Sequence, residues 1–211
     1  MGRNFSPQIT LTTLVLLISV ISPPSVAQTT ERSMLTILMF NYSSAPAEVL
    51  SKAAAETSHI FTPSGIDLAW TYCPPRPSPN SARACESEPV PDQIRVRVLG
   101  RHLTGIFQDS VFGFATAPTF ATVYYDSAQL LVNTASDRES YLPVVLGGVM
   151  AHEIGHLLLG ENQHTVIGIM QARWDICQIQ QLLKGALQFT PQQAIRIRRN
   201  SRIRTTRGAA Y

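Results

Sequence analysis

Cysteine is scarce in this chain: Cys73, Cys85 and Cys177 are the only three in 211 residues. No two of them have C-x-x-C spacing, which argues against a zinc site built on cysteine. None lies near residue 27, so no lipobox cysteine is expected there. Internal repeats are lacking too, so solenoid and propeller architectures drop out. After the first 27 residues no further stretch reads as a transmembrane segment. A net charge of +3 singles out no partner.

The first 27 residues have a recognisable pattern. Arg3 is followed by the apolar run 11–21, and Ser25-Val26-Ala27 offers a small-x-small cleavage site, so 1–27 reads as a secretory signal peptide. The apolar run is shorter than the roughly 18 to 20 residues a membrane span needs. The expected product starts at Gln28 and is secreted or periplasmic. Residues 28–189 suit one domain with a sizeable core, and 190–211 a basic C-terminal helix or tail. In an oxidising compartment Cys73 and Cys85 can close the proline-rich loop 74–80, for about 3 kcal/mol in the chain-entropy model. Cys177 is then expected to be a buried free thiol, with pairing to either other cysteine still open.

The apolar run Met34–Tyr42 suits an interior strand. Ser44-Ala45-Pro46 starts a helix, whose apolar positions recur until Pro63-Ser64-Gly65 ends it. Ile66–Tyr72 alternates as a second strand, and strand–helix–strand in this order implies a right-handed crossover between parallel neighbours. His59 lacks a paired histidine and reads as a surface or capping residue. Gln93–Leu99 alternates as a half-exposed strand. Its Arg95 and Arg97 share one face, but no aromatic residues interleave with them along the strand, so a solvated face is expected and no specific nucleic-acid interface. His102 falls in the turn that follows. Residues 105–118 read as a loop and 119–126 as a strand. Leu130–Val132 forms a short strand or a turn of helix.

The segment that carries chemistry is Val149–Gly160, an uncharged apolar run broken only by His152, Glu153 and His156 in H-E-x-x-H order. On a helix the two histidines stand one turn apart, about 6 Å between Cβ atoms, and can reach one metal ion. Glu153 lies about 100° round from His152, placed to hydrogen-bond a water at that ion. A surface helix with bystander histidines fits poorly, because strongly polar groups on a buried helix are costly unless paired or metal-bound. A helix continuing to His164 would carry it roughly 18 Å from His152. A left-handed Gly160 would end the helix and let the chain turn back. Three histidines with one open position are the ligand set of a catalytic zinc site.

This segment resembles the active-site helix of the metzincin clan of zinc metallopeptidases, whose pattern is H-E-x-x-H-x-x-G-x-x-H followed by a methionine-containing turn. His152, Glu153, His156, Gly160 and His164 match, with Gly168-Ile169-Met170 as the turn. Gly160 comes one residue later than in the pattern and His164 two later, so Glu161 and Asp175 stand as rival third ligands. The resemblance implies an α+β fold: one metzincin-like catalytic domain with a twisted mixed sheet, an active-site helix and C-terminal helices. It also implies an antiparallel edge strand to which a peptide substrate adds. Phe120–Tyr125 is the candidate edge, an ordinary core strand being the equal alternative. By the same resemblance Met170 forms an apolar floor under the metal. No tyrosine directly after the turn supplies a further ligand.

The zinc helix is expected from Pro143 to Leu159, with Pro143 in its first turn and Gly147-Gly148 small for packing against the sheet. Asp175 suits the start of an amphipathic helix, and Thr190-Pro191 starts the last one. From Arg173 onward there are seven arginines, one lysine and one acidic residue. Contact with an anionic surface and a solvated, disordered tail are both open, and the second is preferred. The function expected is a secreted zinc endopeptidase acting on protein or peptide, with Zn²⁺ on His152, His156 and His164 and Glu153 as general base. A zinc hydrolase of another substrate and a non-catalytic metal-binding or adhesion module are the alternatives.

Overall fold

A computed structural model describes residues 1–2, 32–76, 78, 81–90, 92–100, 112–133, 137–160 and 164–208. The signal segment (apart from its first two residues), His102 and Glu161 lie outside the described residues.

Strands β1 (Ser33–Tyr42), β2 (Ile66–Cys73), β3 (Gln93–Leu99), β4 (Gly113–Thr116) and β5 (Phe120–Tyr124) form one mixed sheet in the order β2-β1-β3-β5-β4. The first four in that order run parallel, and β4 closes the edge antiparallel to β5. Helices α1 (Ala47–Phe61), α2 (Arg83–Glu86), α3 (Tyr125–Leu131), α4 (Arg138–Leu159), α5 (Ile176–Leu183) and α6 (Pro191–Gly208) complete an α+β domain. The β1-α1-β2 unit joins parallel neighbours, as the order of elements implied.

Alternation along the strands divides two cores. Leu35, Ile37 and Met39 of β1 join Ile94, Val96 and Val98 of β3 against helices α1 and α4. Leu38 and Phe40 face the other way, into a small cluster with Cys73 and Cys85. Those two cysteines form the expected disulfide, but Cys177 is exposed, not buried. It follows the exposed Ile176 on the outer face of α5, away from Ile179 and Leu182, which that helix buries.

Other expectations shift. The edge strand is β4, inside the stretch read as a loop, and β5 is an interior strand between β3 and β4. Four residues including glycine and alanine carry no alternation signal, so β4 is specified by its partner strand. Helix α4 begins five residues before Pro143, which sits in the second turn. Gly147 and Gly148 accommodate helices and not the sheet. A Cβ on Gly147 would lie 2.6 Å from the Ala53 carbonyl oxygen, and one on Gly148 2.6 Å from a Leu182 methyl carbon. Thr57 Oγ1 donates across the α1–α4 contact to the Gly147 carbonyl at 3.0 Å.

The basic C-terminus is ordered as α6 over its described residues. Thr190 caps it in a reciprocal pair with Gln193. The helix lies against α4, and its polar side chains meet the last carbonyls of that helix. Arg196 donates to Leu159 at 3.3 Å, Asn200 to Leu158 at 2.7 Å and Arg204 to Leu157 at 3.2 Å. These carbonyls have no partner within an α-helix, and cationic donors suit the negative end of its dipole. Packing and capping, absent from a charge count, explain why the solvated-tail expectation fails.

Candidate metal centre

The last two turns of α4 carry His152, Glu153 and His156, each less than a tenth exposed. Gly160 ends the helix in a left-handed conformation, φ 72° and ψ 22°, and its N–H closes back on the His156 carbonyl at 3.0 Å. This is the stop the sequence implied. His164 then stands beside the helical pair, its ring centroid 5.3 Å from that of His152 and 5.0 Å from that of His156. One ring nitrogen from each of the three histidines lies within 4.8 Å of the others. The two helical Nε2 atoms are 3.1 Å apart. Two nitrogens about 2.05 Å from a tetrahedral zinc would be roughly 3.3 Å apart, so the pair is nearly at ligand spacing.

The orienting group that sequence alone does not reveal is a backbone carbonyl. His152 Nδ1 lies 2.8 Å from the Ile169 oxygen, and an N–H there leaves Nε2 free to face the ion. Ile169 is held in turn by its own N–H, which donates to Gln188 at 2.9 Å. The segment 165–171 is a tight loop, closed by the Thr165 N–H on the Met170 carbonyl at 2.8 Å and turned at Gly168, φ 76°. Met170 is fully buried, and its sulfur occupies the space a Cβ on Gly155 would need, 2.7 Å away. Gly155 lies between the two helical histidines, so the glycine makes room for methionine under the pair.

Asp175 is not part of this cluster. Its carboxylate accepts the Cys177 N–H at 2.7 Å, and Gln178 reciprocates, forming a capping box at the start of α5. Among the described residues it is His164 that joins the helical pair, and Asp175 has a structural partner of its own.

Glu153 faces the edge strand β4. A Cβ on Gly113 of β4 would lie 2.8 Å from its Cγ and 2.9 Å from Oε1, so the edge strand passes directly beside the carboxylate. A cavity of about 180 Å³ opens there, lined by Phe112, Gly113, Val149, His152, Glu153, His164 and the stretch Gln171–Trp174. Trp174 packs edge-on to His152, with ring centroids 6.0 Å apart. Gly113, Phe112 and the Trp174 wall were not picked out from sequence. Their placement depends on β4 and on the loop after Met170, neither of which has a periodic pattern.

Burial pushes Glu153 up to about 8 and His152 down to about 3, both for want of solvation of the charged form. For zinc-free protein the two shifts act in opposite directions. The folded chain takes up a proton on Glu153 between about 8 and 4.5, so stability rises as pH falls through that range. The unfolded chain takes up a proton on histidine between 6.5 and about 3, so stability falls as pH drops through that range. Chemical denaturation of zinc-free protein is expected to show a stability maximum between about pH 4.5 and 6.5. Glu153→Gln is expected to remove the decline on the alkaline side and leave the acid side. A maximum above pH 8 in the native chain would contradict the burial of Glu153, and stability that does not fall below pH 6.5 would contradict that of His152.

Three imidazoles around one point, one fixed by a backbone acceptor, fit zinc in chemistry and spacing. The domain has the fold of zinc-dependent peptidases. Neither a protein-family model nor a curated protein sequence matches the chain. Among solved structures, a zinc-dependent peptidase from Methanocorpusculum labreanum superposes with a TM-score of 0.55 at 18% identity, covering 76% of this chain and 99% of that one. Archaemetzincin from Methanopyrus kandleri superposes with a TM-score of 0.52 at 17% identity, covering 84% of this chain and 99% of the other.

Proposed function

We propose that the chain is a secreted, metzincin-like zinc endopeptidase. The observation that carries this reading is the position of Glu153, buried between the histidine cluster and the antiparallel edge strand β4. A metal-storage or adhesion site has no use for a buried carboxylate beside the ligands, whereas hydrolysis needs a proton acceptor there. The edge strand favours peptide over other substrates, since an extended chain can pair with its free side and bring a scissile carbonyl to the cavity.

His152, His156 and His164 would hold zinc, which when bound acidifies water and polarises a carbonyl. Ile169 keeps His152 in the tautomer that ligates. Glu153 accepts the proton of the attacking water and delivers it to the leaving amine. Burial raises its pKa in the metal-free chain, and a cation held by the histidines would favour the carboxylate form that accepts the proton. Phe112 and Trp174 wall the cavity and keep bulk solvent from the reacting bond. We read 165–171 as the methionine turn, with Met170 as the apolar support beneath the metal.

The test is a peptide-library digestion by the purified chain from Gln28 onward, read by mass spectrometry. Cleavage at internal bonds, abolished by a chelator and restored by zinc, is expected. Zinc-loaded protein that cleaves no member of a diverse library would overturn the peptidase reading.

A further inference from the structure

The sheet face turned away from α1 and α4 holds a second cavity, of about 310 Å³, on the opposite side of the sheet from the histidines. Phe40 of β1, Arg95 and Arg97 of β3 and Phe120 of β5 line it, and Pro74 and Cys85 of the disulfide-closed loop form its wall. The Arg95 guanidinium lies 6.0 Å from the centre of the Phe40 ring, and that of Arg97 lies 5.1 Å from the centre of Phe120. The aromatic residues missing from the β3 sequence are thus supplied by the strands on either side of it.

Two arginines at i and i+2 of one strand stand about 6.7 Å apart at the backbone with side chains on one face. Contact with an aromatic ring holds a guanidinium while its N–H groups remain to donate. Arg95 uses one of them on the Ser87 carbonyl. The Nε atoms of both residues are buried and have no hydrogen-bond partner. Among the described residues neither arginine forms an ion pair, and Glu86, the only acid among the described lining residues, pairs with neither. Two half-buried cations with unused donors in an aromatic and proline-lined hollow lack one thing, an anion.

We propose that this cavity binds a small aromatic oxyanion, an aryl carboxylate or aryl phosphate, with the anionic group between Arg95 and Arg97 and the ring against the proline wall. The volume is at the lower end of the range for small-ligand sites, which suits one ring and one headgroup. The inference does not rest on the peptidase reading.

Calorimetric titration of zinc-free protein tests it, since the absence of zinc removes the other place an anion could bind. Phenyl phosphate or benzoate is expected to bind at one per chain, and the tighter of the two identifies the headgroup. Inorganic phosphate should bind about tenfold more weakly for want of the ring. Arg97→Gln should weaken the aryl anion by about tenfold or more, the loss of one charged hydrogen bond. Arg97→Lys, which keeps the charge without the planar donors, should weaken it less and carries the same conclusion if the glutamine variant unfolds. His152→Ala should leave the affinity unchanged. Absence of binding by both aryl anions, equal binding by inorganic phosphate, or affinity retained in both Arg97 variants would overturn the proposal.

Discussion

Glu153→Gln is expected to lower peptide hydrolysis by about 10²–10⁴-fold while zinc content stays at that of the native chain. Glu153 is 5% exposed and its carboxylate lies beside Gly113 at the cavity, so the glutamine amide takes up the same space. What it loses is the ability to take a proton from water. Burial already disfavours a charge at this position, so an uncharged amide should not weaken the fold. Steady-state turnover, bound zinc and unfolding midpoint measured on one preparation separate the outcomes. Unchanged turnover would remove Glu153 from the chemistry. Lost zinc would mean that the carboxylate supports the metal directly.

His164→Ala is expected to weaken zinc binding by at least about 100-fold, more than the loss of a supporting hydrogen bond usually does. Asp175→Ala should leave zinc in place and cost about 1 kcal/mol through the lost cap of α5. The contrast follows from geometry: His164 stands against both helical imidazoles, whereas the Asp175 carboxylate is engaged by the Cys177 N–H. Competition against a chromophoric chelator gives the affinities, and denaturation gives the cap. If zinc survives His164→Ala and is lost from Asp175→Ala, the third ligand has been assigned to the wrong residue.

What could be read from the sequence divides along a physical line. The H-E-x-x-H helix, its glycine stop, the strands β1 to β3 and the capping residues Asp175 and Thr190 announce themselves through local chemistry: period, caps and left-handed turns. For His164 the glycine stop showed only that the chain could turn back, and the resemblance to the metzincin order favoured it over Glu161 and Asp175. Missed features depend on partners distant in sequence. β4 is four residues of weak propensity that become a strand by pairing with β5. Ile169 acts through a carbonyl that every residue possesses, so no side-chain pattern marks it. Gly147 and Gly148 were recognised as packing positions but assigned to the wrong neighbour, since a small residue indicates closeness without naming what is close. Arg95 and Arg97 appear solvated along their own strand and meet aromatic rings only across the sheet.

The contact between α6 and α4 makes the far end of the chain a thermodynamic partner of the metal. Three side chains of α6 hold the last carbonyls of the helix that presents His152 and His156. Ordering that terminus and ordering the ligands therefore draw on the same conformational freedom, and by reciprocity each favours the other. Zinc binding should slow amide exchange in α6, which carries none of the three histidines. Trimming the chain near Thr190 should in turn loosen the grip on zinc without touching a histidine.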